Sequence, residues 1–210
     1  MLRTGFAVLI AMIFSIAGFA QNPITADNAF QIHYAANLNL NDSVFDITNS
    51  GATNANICVN VYAIDPAEEL IACCTCTVTP DSLVSMSVNN DILANTGTGA
   101  KPTSLVIKLI ATTTGGSCDA SQASSGSLAT GLEAWMTTTH AITTVTTKPP
   151  LYPGQKPTTT TTVTPLLTET PFIPSTLSAG ELNHLATTCS FIETNDSGSG
   201  ICAGCHVGGK

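Results

Sequence analysis

Apolar and polar residues alternate along most of the first half of the chain. The alternation is clearest in six short segments, residues 30–34, 44–47, 57–62, 69–76, 83–88 and 105–110. Because successive side chains on a strand point to opposite faces, this period predicts β-strands. Turn residues recur about every dozen residues, which fits antiparallel hairpins and is too short for parallel strands joined by helices. The pattern predicts a mostly β fold, an antiparallel β-sandwich of the immunoglobulin-like or a related type.

Threonine dominates residues 137–170, and this segment has two interpretations. The first is an extended, Thr/Pro-rich linker. The second is a hairpin, because the β-branched runs 143–147 and 158–164 flank a Pro/Gly-rich centre. Threonine favours strands, and two threonine-rich strands pair well on a solvated face. We favour the hairpin.

One helix is predicted near the C-terminus. Ser178 and Glu181 have the spacing of a capping box, in which the hydroxyl and the carboxylate each satisfy a free backbone N–H. Five apolar residues follow at helical spacing, namely Leu182, Leu185, Ala186, Cys189 and Ile192. The helix should end near Asn195 and place Cys189 on its buried face.

The first twenty residues have the features of a cleavable export signal. Arg3 precedes an apolar run over residues 6–17, and Gly18 and Ala20 are the small residues that a signal peptidase reads. Polar sequence begins at Gln21, so the run is shorter than the roughly 20 apolar residues of a membrane-spanning helix. We expect a secreted or periplasmic bacterial protein without a transmembrane anchor after signal cleavage.

These patterns divide the chain into three parts and constrain its partners. The parts are a signal peptide over residues 1–20, a β-sandwich domain over 21–175 that contains the hairpin or linker at 137–170, and a helix with a Cys-rich tail over 176–210. The formal net charge is −8, which argues against a nucleic-acid partner because a phosphate backbone requires a basic patch. Charged residues make up only 10% of the chain, so uncharged polar residues must cover the surface.

An even number of cysteines in an exported chain predicts disulfides. The eight candidates are Cys58, Cys73, Cys74, Cys76, Cys118, Cys189, Cys202 and Cys205. On the predicted strand 69–76, Cys73 faces one side while Cys74 and Cys76 face the other, so they should reach different partners. Cys58, on the preceding strand, is the natural candidate for one of them. The remaining pairings cannot be chosen from the sequence.

Several stretches resemble a family of uncharacterised exported bacterial proteins. They are residues 44–49, 56–62, 70–76, 78–80, 170–172, 177–182, 189–192 and 200–202. The resemblance spans most of the chain after the signal. It implies a recurrent secreted architecture that is β-rich and contains cysteines, with a capped C-terminal helix followed by a Cys-x-x-Cys tail. It transfers no activity.

The strongest chemical motif is Cys202-Ala-Gly-Cys205-His206, which has the C-x-x-C-H form of covalent c-type haem attachment. Both thiols would form thioether bonds to the porphyrin, and His206 would be the proximal iron ligand. A second axial ligand would have to come from a methionine or from His33, His140 or His184. Only four residues follow His206, and a single predicted helix is near enough to enclose a haem.

Two other interpretations of the same residues are open. In the one that we favour, Cys189, Cys202 and Cys205 form disulfides that pin the terminal segment onto the helix. In the other, these cysteines and His206 bind zinc, for which the ligand types are acceptable. Thiolates in an oxidising compartment usually become disulfides, which argues against the zinc site.

The sequence contains no catalytic constellation such as H-E-x-x-H or G-x-S-x-G. We therefore predict a secreted, non-enzymatic structural or binding module without a cofactor. It would be stabilised by disulfides, and its unknown partner is expected at the cell surface or in self-association. The alternative is a mono-haem c-type electron-transfer protein that uses Cys202, Cys205 and His206.

Overall fold

The computed structural model describes residues 29–195 and 197–208, and the predicted signal peptide lies outside them. The elements within these residues are β1 (Phe30–Ala35), β2 (Val44–Asn49), β3 (Ile57–Ile64), β4 (Leu70–Val78), β5 (Leu83–Ser87), β6 (Leu105–Thr113), β7 (Leu132–Lys148), β8 (Thr158–Pro171), β9 (Ile173–Pro174), α1 (Ala179–Thr194) and β10 (His206–Val207). The six segments with alternating polarity correspond to β1–β6. In the part of the chain that the structure describes, no helix is long and apolar enough to cross a membrane.

The strands form two antiparallel sheets. Sheet I has the order β4-β3-β6-β1-β9, and sheet II has the order β10-β5-β2-β7-β8. The inward side chains of both sheets form one hydrophobic core, to which sheet I contributes Val59, Val61 and Leu109 and sheet II contributes Phe45, Ile47 and Met86. The predicted mostly β fold with two packed antiparallel sheets is confirmed.

A second core lies between the outer face of sheet I and α1. Leu182, Leu185 and Cys189 of the helix pack there with Tyr62 and Ile110 of the sheet. These contacts explain why β3 is buried on both faces. The protein therefore has three layers, with sheet I in the middle.

The helix begins and ends as the sequence predicts. The Ser178 hydroxyl accepts a hydrogen bond from the backbone N–H of Glu181 at 3.1 Å, and Asn195 is the C-terminal cap. The other half of the expected capping box is replaced by an ion pair, because the Glu181 carboxylate lies 2.5 Å from Lys108 Nζ on β6. This ion pair ties the first turn of α1 to sheet I.

The threonine-rich segment forms a hairpin. β7 and β8 pair from Trp135↔Pro171 to Lys148↔Thr158. The base of the hairpin belongs to sheet II, where β2 pairs with β7 as far as Thr137. Thr138 and Thr139 are still buried against the body, and beyond them the hairpin leaves it.

Candidate functional site

The C-x-x-C-H motif lies in the tail that follows α1, where the tail crosses from sheet I to sheet II. Ile201 forms an isolated parallel bridge with Cys73 on β4. Five residues later, His206 and Val207 form β10, which pairs with β5. The tail thus closes the side of the sandwich at which β4 and β5 are the outer long strands.

Two disulfides hold the motif to β4. Cys202 bonds to Cys74 and Cys205 bonds to Cys76, with Cα–Cα distances of 5.6 and 5.9 Å. Cys74 and Cys76 are two residues apart on one strand and therefore point to the same side, towards the core between the sheets. The motif cysteines are thus bonded to the sheet, whereas we expected the tail to be pinned onto the helix.

The other two disulfides lie on the opposite face of sheet I. Cys73 bonds to Cys189 on α1. This agrees with the alternation along β4, which predicts that Cys73 has a different partner from Cys74 and Cys76. Cys58 bonds to Cys118, in the segment after β6. All eight candidate cysteines are in disulfides, and the described residues include no free cysteine.

The expectation that Cys58 pairs with a β4 cysteine is wrong for a geometric reason. Cys58 stands directly opposite Thr77, whereas Cys73 stands opposite Tyr62. Four residues along a strand correspond to about 13 Å, which is too far for a disulfide. The nearer cysteines of β4 point to the other face of the sheet.

This bonding pattern does not fit haem attachment. A thioether bond to a porphyrin would use the same sulfur atoms of Cys202 and Cys205 that the disulfides use. Cys202 is also packed into the core between the sheets, so a porphyrin beside it would require β4 and β5 to separate. The fold in this arrangement and a covalent haem at the motif exclude each other.

The residues of the considered zinc site are not brought together either. Cys189 bonds to Cys73 on the helix side of sheet I, while Cys202 and Cys205 lie on the core side. A different group, Cys73, Cys189 and Glu193, places its ligand atoms within 4.8 Å of one another. Its two sulfur atoms belong to one disulfide and so supply no thiolate to a metal.

His206 instead makes a hydrogen-bonding contact with the carboxylate of Asp91, a residue that the sequence analysis did not single out. His206 Nε2 lies 2.9 Å from Asp91 Oδ1, and the Asp91 side chain is only 6% exposed. Asp91 Oδ2 accepts a hydrogen bond from the backbone N–H of Ser87 at 2.6 Å, and the Asp91 carbonyl accepts one from Ala203 N. The arrangement clamps the tail to the π-helical turn after β5. No local sequence signal marks Asp91 for this role.

The three other histidines lie on separate elements. His33 on β1 is buried, and its Nε2 lies 2.8 Å from Thr170 Oγ1 on β8. Burial lowers the pKa of His33. The contact joins sheet I to the base of the hairpin, which is a structural role. His140 lies at the base of the projecting hairpin, and His184 lies on the exposed side of α1.

Two carboxyl groups meet at the helix-side surface of sheet I. Burial raises the pKa of Glu193 near the end of α1, and the negative charge of Asp119 raises it further. Asp119 caps a 3₁₀ turn at Ala120–Gln122 by accepting a hydrogen bond from Ser121 N at 2.8 Å. Beside this turn lies an open groove of about 540 Å³, lined by hydroxyl and amide side chains and by Phe191.

The largest projecting feature is the outer part of the hairpin, residues 140–166, which we call the ribbon. No residue of the ribbon is buried. Its strands run about 30 Å beyond the body, since each contributes about nine residues at roughly 3.3 Å per residue. Threonine pairs such as Thr144↔Thr162 and Thr146↔Thr160 lie on one face.

The opposite face of the ribbon has more apolar side chains. Val145 and Val163 lie on this face, and Leu167 lies just below the ribbon on the same side. All three side chains are about half exposed or more. The ribbon contains two lysines, Lys148 and Lys156, and none of the fourteen carboxylates of the chain. It thus presents hydroxyl and methyl groups with a weakly basic tip.

The comparisons with known proteins give no further guide to these features. No protein-family model matches the chain, and no curated protein and no solved structure is significantly similar to it.

Proposed function

We propose that the protein is an exported, non-enzymatic binding or structural module that uses its ribbon to make contacts at the cell surface or in the periplasm. The observation that carries this proposal is the projection of a threonine-rich ribbon without carboxylates from a body that four disulfides brace. The remaining support comes from energetics and from the distribution of chemical groups.

The ribbon contributes little to the stability of the body. A two-stranded hairpin is marginally stable in water, because it buries too little apolar surface to offset the entropy lost on ordering. None of the side chains at residues 140–166 enters either core. A segment that is ordered at such a cost and leaves the core unchanged is best explained by contacts made outside the body.

The body has the features of a durable scaffold. Disulfides typically stabilise exported domains by about 2–4 kcal/mol each. They persist in oxidising compartments, which agrees with the export signal predicted at residues 1–20. We identify no paired acid and base or activated nucleophile around the exposed hydroxyl groups that we describe, which favours a binding role.

The proposal is tested with a variant in which Asn-Gly replaces residues 141–165. His140 and Leu166 are directly paired, so a two-residue turn can close the hairpin there without changing its register. We expect this variant to keep its four disulfides and its melting temperature. Fluorescent beads that carry it should no longer attach to bacteria that produce the protein, whereas beads with the unmodified mature protein should attach.

The matched control is Phe191→Ser, which removes the most exposed apolar side chain of α1. This control should leave attachment unchanged. If beads with the shortened hairpin attach as well as the unmodified protein, the ribbon is not the contact element. Turnover of any substrate in a broad hydrolase panel would contradict the non-enzymatic part of the proposal.

A further inference from the structure

The direction of the backbone groups in β7 and β8 follows from two hydrogen bonds. Phe172 N donates to Ala134 O at 2.8 Å on the β8 side, and Ser50 N donates to Gly131 O at 2.8 Å on the β2 side. Along an antiparallel strand the N–H and C=O groups of alternate residues point to alternate sides. Even-numbered residues of β7 therefore point their backbone groups towards β8, and odd-numbered residues point them the other way.

The outer edge of β8 is protected against pairing with another strand in its part next to the body, whereas further out Thr159, Thr161 and Val163 have neither a proline nor a charge. The odd-numbered residues of β8 point their backbone groups outward, and they include Pro165 and Pro171, which have no N–H to donate. Glu169 adds a charge at the same edge. Prolines and charges on an edge strand are devices by which proteins prevent the addition of further strands.

The tail covers two further edges. Cys73 N on β4 donates to Gly200 O at 2.8 Å, and β10 pairs with β5. Disulfides keep the tail in this position. The long strands at this side of the sandwich are therefore not left open.

The outer edge of β7 has the longer unprotected run of outward backbone groups in the ribbon, four residues against three on β8. Its partner β2 begins only at Val44, opposite Thr137. The carbonyl of Thr139 accepts a hydrogen bond from Asn37 Nδ2 at 2.8 Å, and this is the last contact with the body along that edge that we describe. The next residues with outward backbone groups are Ala141, Thr143, Val145 and Thr147, which include no proline and no charged side chain.

We propose that this β7 edge pairs in antiparallel fashion with the same edge of a second copy of the chain, so that two ribbons form one four-stranded sheet. The inference rests on the proposed function and names its partner. A two-stranded ribbon gains independent stability when it becomes part of a sheet of three or more strands. Threonine and valine are among the residues that such a sheet favours.

The edge is self-complementary about a two-fold axis at Thr144. In that register Ala141 stands opposite Thr147 of the second copy, and Thr143 stands opposite Val145. All four outward residues then pair reciprocally, which gives about eight backbone hydrogen bonds between the copies. A two-fold axis is the commonest symmetry of protein dimers and requires a surface of this kind.

The charges of the chain agree with this arrangement. The register carries the basic tip of one ribbon, with Lys148 and Lys156, along the body of the other copy. It ends beside the loop that contains Asp42, which adjoins β7 because Thr139 Oγ1 donates to the Asp42 carbonyl at 3.3 Å. The Asp42 carboxylate itself accepts hydrogen bonds from Ser87 Oγ and Asn89 N, so the attraction is to the net charge of the body. All fourteen carboxylates and only four of the six Lys and Arg residues lie outside the ribbon, so this net charge is negative. The tip contact also enlarges an interface that the strand edges alone would leave small.

The test measures the molar mass of the oxidised mature protein by sedimentation equilibrium as its concentration increases. We expect a monomer–dimer equilibrium with a Kd on the order of 1–100 μM, weaker at high salt because the tip contact is electrostatic. Thr143→Pro removes an outward N–H from each copy without removing a bond between β7 and β8. It should weaken the dimer by about tenfold or more.

The matched control is Thr161→Pro, which places the same change on the outer edge of β8. It affects the same ribbon and should leave the Kd unchanged. Amide exchange provides a second measurement that does not depend on the folding of a variant. At high concentration the amides of Thr143 and Val145 should become protected in the unmodified protein, while those of Thr161 and Val163 should still exchange.

Three results would overturn the inference. The first is a protein that stays monomeric at all concentrations up to about 1 mM, which is far above the expected Kd. The second is an equal effect of the two proline variants on the Kd. The third is a dimer that survives in the variant with the shortened hairpin. If the protein is monomeric but its attachment to bacteria still requires the ribbon, the proposed function holds with another partner. If attachment does not require the ribbon, the proposed function fails whatever the oligomeric state.

Discussion

The two disulfides that hold the tail should stabilise the protein in a strongly interdependent way. The perturbation is the replacement of both cysteines of a pair by serine, so that no unpaired thiol is left. One variant removes Cys76–Cys205, a second removes Cys74–Cys202, and a third removes both. Because the two crosslinks are adjacent at both ends, either one alone keeps the tail close to β4.

The expected magnitudes follow from the loops that the crosslinks close. With Cys73–Cys189 intact, Cys74–Cys202 closes a loop of about 14 residues, which corresponds to about 3 kcal/mol of unfolding free energy. Cys76–Cys205 then closes a further loop of only about five residues, which corresponds to about 2 kcal/mol. Removing either disulfide should thus lower the free energy of unfolding by about 2 kcal/mol, and removing both should lower it by about 5 kcal/mol.

The assay is urea unfolding at 25 °C followed by circular dichroism, with each variant compared at the same pH. The control is the Cys58→Ser/Cys118→Ser variant, which opens a loop with a sequence separation of 60 at the other face of sheet I. It should lose about 4 kcal/mol, and this loss should nearly add to that of a tail variant because the two sets of crosslinks lie on opposite faces of sheet I. Loss of 5 kcal/mol from the removal of Cys76–Cys205 alone would refute the reasoning.

Three further predictions concern charge, the clamp and the motif. Glu193→Gln should raise the free energy of unfolding at pH 7 and have little effect near pH 4, because burial and Asp119 raise the pKa of Glu193 and so penalise its charged form. Urea unfolding at both pH values measures this difference. A stabilisation that grows towards pH 4 would contradict the prediction. His206→Ala should cost about 1 kcal/mol and speed amide exchange in the tail, since it removes a hydrogen bond between the tail and a buried carboxylate. Unchanged exchange would show that this contact does not hold the tail. The purified protein should be colourless, and mass spectrometry of peptides from the unreduced protein should show Cys202 and Cys205 crosslinked to peptides of β4. A mass increase of one haem would contradict the disulfide assignment.

The strands and the helix were predictable because their signals are local. Alternation of polarity over five to eight residues is enough to place a strand such as β2, and the Ser178 cap is enough to place the start of α1. The helical spacing also identified the buried face of α1 correctly, with Cys189 in it. Each of these inferences needed only residues within one element.

The disulfide partners were not predictable, because they depend on which strand edges meet. The alternation along β4 separates Cys73 from Cys74 and Cys76, and that much is visible in the sequence. The pairing of the latter two with the tail also requires that β4 and β5 are outer strands of two different sheets, with the tail running between them. Strand order in a sandwich is a non-local property that a single sequence does not encode in any short segment.

The spacing of the C-x-x-C-H motif has a structural origin in this fold. Cys74 and Cys76 are two residues apart on an extended strand, which sets their Cα atoms about 6.5–7 Å apart. The three Cα–Cα steps from Cys202 to Cys205 would span about 10 Å if extended, so the tail has to contract there. Gly204 has a φ of 149°, a conformation that residues with a side chain rarely adopt, and it lies within the segment that contracts. His206, which follows Cys205, then starts the pairing with β5 and contacts Asp91. Two crosslinks, a glycine in the left-handed region and the contact with Asp91 thus account for five residues whose spacing also matches a haem-attachment motif.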